Sequence, residues 1–387
     1  MKVLLINDFL LKSGGVENYL HELIKYDSTL ELRLYGKTKE PFFINKYYNL
    51  GAKKEIRREI DSFKPHIIHA FNIGRVVTPS FMRYAFNKSI PIIMSFRDYH
   101  YICPKTYMLN ENGSFITSHD SAIECILHHL PKKNIIFDAL KYYKIQFHKT
   151  FLKKYLSFFL TPSNHLTGWI KRQLPQVNGC TLPNPLLISP PDESDDRPIR
   201  RNILYVGRIS KEKGINTLIY AFQSLLEEYP DERLIIAGDG PEKDIIEKDI
   251  KKNGFKNIRL IGFKTRKELA EYYSSAKCTV IPSEWIEAFG NVLLESFAFK
   301  TPVIVSDTGC LKLNTEKSKG GIIFKMGSVK DLAEKMKILI SAPLLCREMG
   351  ERGYQFSNHF QFSNHVDDLT QIYNKILSSK KTFRKNK

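Results

Sequence analysis

The chain has 387 residues, 59 of them Lys or Arg and 41 Asp or Glu, for a formal net charge of +18. That length is too great for one core and predicts two domains, while 42% hydrophobic and 26% charged residues are ordinary for a globular protein. No run of about 18 apolar residues occurs, which excludes a bilayer-spanning helix. Met1-Lys2-Val3-Leu4-Leu5-Ile6-Asn7-Asp8 starts a strand at once, without the long apolar region and small-residue cleavage site of a signal peptide. The six cysteines (Cys103, Cys125, Cys180, Cys278, Cys310 and Cys346) show no C-x-x-C spacing and read as free cytosolic thiols. Cys103 and Cys125, with His119, His128 and His129 nearby, match no common zinc spacing. The charge attracts nucleic acid, anionic lipid or anionic substrates, and it is uneven. No Asp or Glu occurs from 139 to 191, where Lys141, Lys144, Lys149, Lys153, Lys154, Lys171 and Arg172 fall; acidic residues return together at 192–196.

A short apolar strand at 2–7 opens the chain. Ser13-Gly14-Gly15-Val16-Glu17 follows, then a helix with Val16, Tyr19, Leu20, Leu23 and Ile24 on one stripe. Gly14 and Gly15 let the backbone approach a ligand closely just before a helix N-terminus. Strands at 30–35, 65–70 and 90–96 alternate with helices at 52–63 and 79–86. This alternation predicts a parallel, doubly wound sheet with ligands at the carboxyl ends of its strands. Two such ends stand out: His69-Ala70-Phe71-Asn72 and Phe96-Arg97-Asp98-Tyr99-His100. Residues 101–134 form a long polar excursion of the kind that is functional or disordered, and acceptor contacts are expected there.

The stretch 137–155 reads as a helix that is basic and aromatic together. One reading is contact with the anionic inner face of a bilayer, at about 1 kcal/mol per Lys. The other is a core helix with solvated lysines. A strand at 157–161 leads to Pro162-Ser163-Asn164, a helix N-cap. The Pro-rich, charged run 189–201 reads as a linker.

In the second half, a strand at 202–206 ends at Gly207-Arg208, and Lys213 precedes a helix reaching about 228. A Gly at a strand end with two cations before a helix makes a phosphate grip. Strands at 233–237 and 258–263 follow, with Thr265 or Arg266 capping the helix to 275. Strand 278–281, a loop with Gly290, helix 291–299 and strand 302–305 then make one βαβ unit. Its helix N-terminus favours an anion, and Glu287 and Glu295 flank that point. Such a site suits a ligand with both phosphates and hydroxyls, as a nucleotide sugar has. Helices at 329–340 and 362–377 complete the chain.

The run P-S-E-W-I-E-A-F-G-x-V-x-x-E-S, with P-V-I-V-S-D-T-G after it, resembles the Glu-x7-Glu signature of retaining glycosyltransferases of family 4. The resemblance is strong from Gly207 to Asp307 and weaker before. It implies an α/β protein of the GT-B fold: two Rossmann-like doubly wound parallel-sheet domains facing a cleft, the last helix crossing back onto the first domain. The expected division is 1–187, a linker 188–201, 202–360, a returning helix 361–379 on which Ile372, Tyr373 and Ile376 pack, and a disordered basic tail 380–387. A UDP- or GDP-sugar donor would sit on the second domain, and a glycan or lipid-linked acceptor mainly on the first, in cell-surface polysaccharide synthesis.

By that resemblance, Glu287 meets the donor sugar's hydroxyls and Glu295 the ribose. The backbone of Phe289, Gly290, Asn291 and Val292 meets the diphosphate. V-G-R-x-x-x-x-K-G is similar to the family's donor-phosphate motif, so Gly207, Arg208 and Lys213 would face the leaving group and the two cations neutralise its charge. Gly262 and Phe263 border the base, and Gly14 and Gly15 lie near the diphosphate and the acceptor. The family often has His-Asp where this chain has Arg97-Asp98. Arg97 keeps its proton, so it either binds phosphate or an acidic acceptor beside Asp98 and His100, or closes a structural loop with Asp98. Lys300 stands where the family has Gly, and Cys310 replaces the second Gly of T-G-G. No D-x-D lies at a strand end, so neither metal nor another cofactor is expected.

Two rival readings remain. One is a basic membrane- or nucleic-acid-binding protein with a degenerate sugar site; no aromatic-basic RNA motif appears, so no specific nucleic acid is expected. The other is a GT-B enzyme of a different reaction, such as a sugar-phosphate synthase. The expected location is the cytoplasm, with 139–172 as a candidate contact with an anionic membrane surface.

Overall fold

The computed structural model describes residues 1–10, 14–26, 29–38, 47–101, 135–189 and 200–385. The excursion after Tyr101, with Asn112-Gly113, Cys103, Cys125 and the three nearby histidines, lies outside the described residues. So does most of the expected linker. By contact the chain forms two units, Met1–Pro183 with Ser363–Lys387, and Asn184–Phe362.

The first unit is built on a six-stranded parallel sheet of order β2-β1-β3-β4-β5-β6. Its strands are β1 (Lys2–Phe9), β2 (Glu31–Lys37), β3 (Ile67–Phe71), β4 (Ile92–Ser95), β5 (Phe158–Thr161) and β6 (Gly179–Thr181). Helices α1 (Gly15–Lys25), α2 (Leu50–Phe63), α3 (Met82–Asn87), α4 (Ile135–Tyr155) and α5 (Asn164–Gln173) connect them. Every residue of β3 is buried, as a central strand covered on both faces requires. The caps follow local chemistry. Asn49 accepts from the Ala52 amide ahead of α2, and Ser163 accepts from Leu166 ahead of α5.

The second unit holds a parallel sheet of order β12-β11-β10-β7-β8-β9. Its strands are β7 (Asn202–Val206), β8 (Arg233–Ala237), β9 (Ile258–Gly262), β10 (Ala276–Ile281), β11 (Val303–Ser306) and β12 (Gly321–Phe324). Between and after them run α6 (Ile215–Leu226), α7 (Lys243–Lys252), α8 (Arg266–Ser275), α9 (Asn291–Ala298), α10 (Gly309–Ser318), α11 (Val329–Ser341) and α12 (Pro343–Ser357). Period-2 alternation splits the core between the sheet's faces. Ile203, Tyr205, Leu234, Ile236, Cys278, Val280 and Ile304 join one cluster. Leu204, Ile235, Ala237, Val303 and Val305 join the other. Thr265 caps α8 with a full capping box to Glu268.

Three details differ from the sequence expectation. Leu186 and Ile188 are buried in the second unit's core, so the first unit stops at Pro183 rather than 187. Arg200, expected in the linker, donates to the carbonyls of Lys300 (2.7 Å) and Ala276 (3.2 Å), so it caps the end of α9 from outside the helix. The last helix, α13 (Phe362–Lys385), runs eight residues beyond the expected end at 377 and takes in most of the tail expected to be disordered.

Tyr373 of α13 is fully buried and its hydroxyl lies 2.6 Å from His69 Nδ1, fastening the helix to β3. His365, also on α13, meets the Tyr19 hydroxyl at 2.9 Å. Lys300 has φ +54°, the left-handed conformation for which Gly is the usual choice. Its ammonium pairs with Glu351 at 3.0 Å and lies over the Tyr354 ring. Among the described residues no helix is long and apolar enough to cross a membrane.

Candidate functional site

In a doubly wound sheet the loops diverge where the strand order reverses, and the crevice lies at the carboxyl ends of the two strands flanking that point. In the second unit those strands are β7 and β10. Gly207 and Arg208 follow β7, and the loop carrying Ser283, Trp285 and Glu287 follows β10. Between Arg208 and α6, Lys211–Lys213 forms a 3-10 turn that ends at Gly214 with φ +67°. A β-carbon on Gly214 would stand 1.9 Å from the Pro282 carbonyl oxygen. Gly214 therefore lets the cationic turn pack directly on the end of β10.

That packing brings Lys213 to Glu287. One carboxylate oxygen of Glu287 accepts from Lys213 Nζ at 2.5 Å, Ser283 Oγ at 2.8 Å and Trp285 Nε1 at 3.1 Å. The Trp285 ring also lies under the Lys213 ammonium, 4.9 Å from its centroid. Arg208 is exposed at the same strand end.

Gly290, at φ +90°, turns the chain into α9, whose first turn is Asn291 and Val292. The Phe289 ring is buried against Phe360, so only its backbone belongs to this loop end. One turn inside α9, Glu295 accepts from the Tyr273 hydroxyl at 2.9 Å. Burial pushes the Glu295 carboxyl up, opposed by that bond and by Arg266. Gly262 (φ +71°) ends β9 and its carbonyl accepts from Gly238; Phe263 next to it is largely exposed. Cys310, where the resembled family has Gly, is buried with its thiol toward the Ala288 carbonyl.

The first unit has its own crevice at its switch point, between β1 and β3. A cavity of about 320 Å³ there is lined by Asp8, Phe9, Glu17, Asn72, Arg75, Asp98 and His100. Asp8 accepts from the backbone amides of Arg75 (2.8 Å), Val76 (3.0 Å) and Val77 (2.6 Å). Burial pushes its carboxyl up to about 6 despite those donors. Asp98 accepts from both the amide and the ring Nδ1 of His100, and His100 Nε2 faces the Ile73 carbonyl at 3.1 Å. Burial disfavours the charge on His100, but Asp98 outweighs it and holds the imidazole pKa up. The same pairing overcomes burial at Asp98 and holds its carboxyl down. With an oxygen acceptor at each ring nitrogen, His100 has no free nitrogen turned to the cavity. Asn72 carries a buried side-chain oxygen with no hydrogen-bond partner, at a strained φ of +25°.

Of the two readings of Arg97, facing a ligand or holding local structure, its ring contacts fit the structural one, with Tyr19 and Phe71 as partners rather than Asp98. Arg97 is not among the residues lining this cavity. Its guanidinium lies over the Tyr19 ring at 4.6 Å and near that of Phe71. The flat cation suits two aromatic faces better than an open crevice. His69, at the other strand end singled out from sequence, is a core residue bridging Tyr373 and Ser95. Gly14 caps α1 through backbone alone, and Gly15 starts it beside Glu17, which accepts from Asn7. Sequence reasoning missed Asp8, Glu17 and Arg75 in the first unit and Ser283, Trp285 and Tyr273 in the second. Asp8 carried a usable signal, a carboxylate at the carboxyl end of an apolar first strand. Among the described residues no cluster of His, Cys, Asp and Glu is arranged to hold a metal ion.

Residues 193–356 match the family model of glycosyl transferases group 1. The chain is 30% identical over 184 residues to the alpha-D-kanosaminyltransferase of Streptomyces kanamyceticus, covering 47% of each protein. It spans about half the length of the first curated relatives it matches. Among solved structures it resembles a sucrose-phosphate synthase from Thermosynechococcus elongatus, at TM-score 0.73 and 16% identity over 98% of this chain and 100% of that one. It also resembles the Anabaena protein HepE in complex with UDP, at TM-score 0.70 and 15% identity over 97% and 100%. These structural likenesses establish the fold as the two-unit α/β architecture of the GT-B class.

Proposed function

We propose that the protein is a retaining glycosyltransferase that takes a sugar from a UDP- or GDP-sugar and passes it to a glycan or lipid-linked acceptor in cell-surface polysaccharide synthesis. The observation that carries this reading is the convergence of Lys213, Ser283 and Trp285 on one oxygen of Glu287, at the strand ends beside Arg208 and the start of α9. Breaking the bond between the sugar's anomeric carbon and the diphosphate leaves the electron pair on a phosphate oxygen. Arg208, Lys213 and the first amides of α9 would stabilise that charge without metal. Glu287 would accept from the sugar's hydroxyls and Glu295 from the ribose. The match of residues 193–356 to a glycosyl transferase family supports the assignment of this unit to the donor. The complex of HepE with UDP supports a uridine nucleotide as the first ligand to try.

The acceptor reading rests on the first unit's crevice, where Asp98 and His100 stand with Asp8 and Glu17. Its carboxylates and the cationic Arg75 offer both acceptors and donors to the hydroxyls of a sugar. The exposed Lys141, Lys153, Lys154, Lys171 and Arg172 support an anionic membrane as a partner and, with it, a location at the inner face of that membrane.

The test is calorimetric binding of UDP and GDP, without metal, to the wild type and to Lys213→Ala. Micromolar binding of one nucleotide, lost in the variant, is expected. If neither nucleotide binds the wild type, the donor assignment fails. The rival of a basic protein with a degenerate site then predicts salt-sensitive binding to DNA or anionic vesicles alone.

A further inference from the structure

At the amino ends of β4, β5 and β6, opposite the crevice of the first unit, lies a second and larger cavity of about 840 Å³. This is within the size range of ligand sites. Phe86, Ile90 and Phe158 line it on the sheet side. Its other wall is one face of α13, where Ile372, Lys375, Ile376 and Ser379 recur at helical spacing. The lining is mainly apolar, and the exposed Lys375 is its charged residue.

The cavity does not end at an ordinary polar surface. Phe86 is 55% exposed, and its ring meets Tyr155 of α4 at 5.4 Å. From there an aromatic row runs back along α4: Tyr155 to Phe151 at 6.2 Å, and Phe151 to Phe147 at 5.4 Å. Tyr143, one turn further, is 59% exposed. Residues 143, 147, 151 and 155 share one helix stripe. Lys153 and Lys154 are exposed at the groove end of the row, with the Lys154 ammonium 5.7 Å from the Tyr155 ring. No carboxylate side chain falls between 139 and 191 to offset them. An exposed apolar stripe edged by lysines is how a helix lies in the interface of an anionic bilayer.

We propose that this groove seats one acyl chain of an anionic phospholipid, drawn from the bilayer on which α4 rests, with Lys375 meeting the headgroup side. The apolar lining takes the chain. The ring-to-ring row from Phe147 to Phe86, with Tyr143 one turn beyond it, provides an apolar path from the bilayer into the groove. Lys153, Lys154 and Lys375 select the negative lipid, their stems lying on apolar surface while the ammonium groups stay wet. The proposal rests on the membrane-surface reading above and is independent of sugar transfer.

Cys180 lines the groove and provides the probe. The full-length protein is incubated with vesicles of phosphatidylcholine alone or with 30% (~) phosphatidylglycerol, following the anionic-lipid requirement. Co-sedimentation measures adsorption. Alkylation of Cys180 by N-ethylmaleimide, read by peptide mass spectrometry, measures groove occupancy. Anionic vesicles are expected to bind and to slow Cys180 alkylation about tenfold when accessible lipid is about ten times its Kd. Lys153→Glu with Lys154→Glu, at exposed positions, should remove both effects. Ile376→Asp should retain adsorption and lose the protection. Phe86→Ser, at an exposed position, serves as a second groove variant should Ile376→Asp fail to fold.

Adsorption without protection would overturn the groove and leave the membrane-surface reading intact. No adsorption would overturn both. Equal protection by neutral vesicles would overturn the headgroup selection. Protection that grows with protein concentration in the absence of lipid would mean that a second copy covers the groove, and would overturn the proposal.

Discussion

Lys213 cannot serve a diphosphate and Glu287 at once. Their side chains are 24% and 12% exposed at an N–O distance of 2.5 Å, so solvent screens the pair only in part. In the proposed reaction the incoming diphosphate displaces Glu287 from Lys213, and the freed carboxylate turns to the sugar. Glu287→Gln removes the competing charge while keeping the shape. We expect UDP alone to bind roughly 3–10-fold more tightly to this variant, about 1 kcal/mol, while sugar transfer falls about a hundredfold for want of the aligned acceptor. Calorimetry and a transfer assay separate the two effects. Weaker UDP binding in the variant would mean that Glu287 positions Lys213 for phosphate rather than competing for it. Glu287 and Lys213 were both named as candidates in the sequence. Their contact was not, because it joins positions 74 apart through the approach of one loop to the end of another strand.

At the scale of elements, α9 depends on a neighbour that sequence patterning did not reveal. Helix α12 presses on α9 through two glycines. A β-carbon on Gly350 would stand 1.9 Å from the Lys300 carbonyl oxygen, and one on Gly353 would stand 2.3 Å from the Phe297 ring. Gly350→Ala should therefore push α12 from the end of α9 and cost roughly 1–3 kcal/mol, as overpacking does. A thermal melt of the second unit checks this; an unchanged melt would show that the helices separate freely. Helices α10 and α12 were absent from the sequence reading: α10 has almost no apolar stripe, and α12 buries the small residues Cys346, Gly350, Gly353 and Ser357 rather than large apolar ones. Their burial is supplied by α9 and the sheet edge. By contrast, α2, α6 and the strands that flank them were plain in the sequence, since each buries a regular stripe or alternation against its own sheet.

For the whole molecule, buried histidines make the two units differ in acid. His69, His148 and His365 are all buried in the first unit. Burial drives His148 down to about 4 and His365 down to about 3, and holds His69 well below its ordinary value. A group lowered on folding contributes stability above its unfolded pKa, near 6.5, and that stability is lost as pH falls through the folded value. Each pKa unit is about 1.4 kcal/mol. Asp8 works the other way: raised to about 6, it favours the folded state as pH falls from 7. The paired His100, also raised, adds to Asp8's side. The depressions of His148 and His365 together exceed the rise at Asp8. The first unit is therefore expected to open before the second between pH 6.5 and 4. Amide exchange followed by mass spectrometry, corrected for intrinsic rates, checks the order; earlier opening of 184–362 would refute it.

Local periodicity and turn chemistry by themselves determined the alternation of strands and helices, the parallel sheets and the strand ends that bear Gly207, Arg208 and Glu287. These are properties of neighbours along the chain: two-residue alternation, helical stripes, Gly at a turn. Only the tertiary structure decided what each polar side chain faces. It turned Arg97 onto Tyr19 and Phe71, fixed His69 in the core, brought Asp8 under the amides of 75–77 and joined Lys213 to Glu287. The physical reason is that a buried charge or dipole must find a partner, and the partner is supplied by whatever element the sheet order places beside it. Residue type tells which groups need such a partner; the packing of distant segments chooses it.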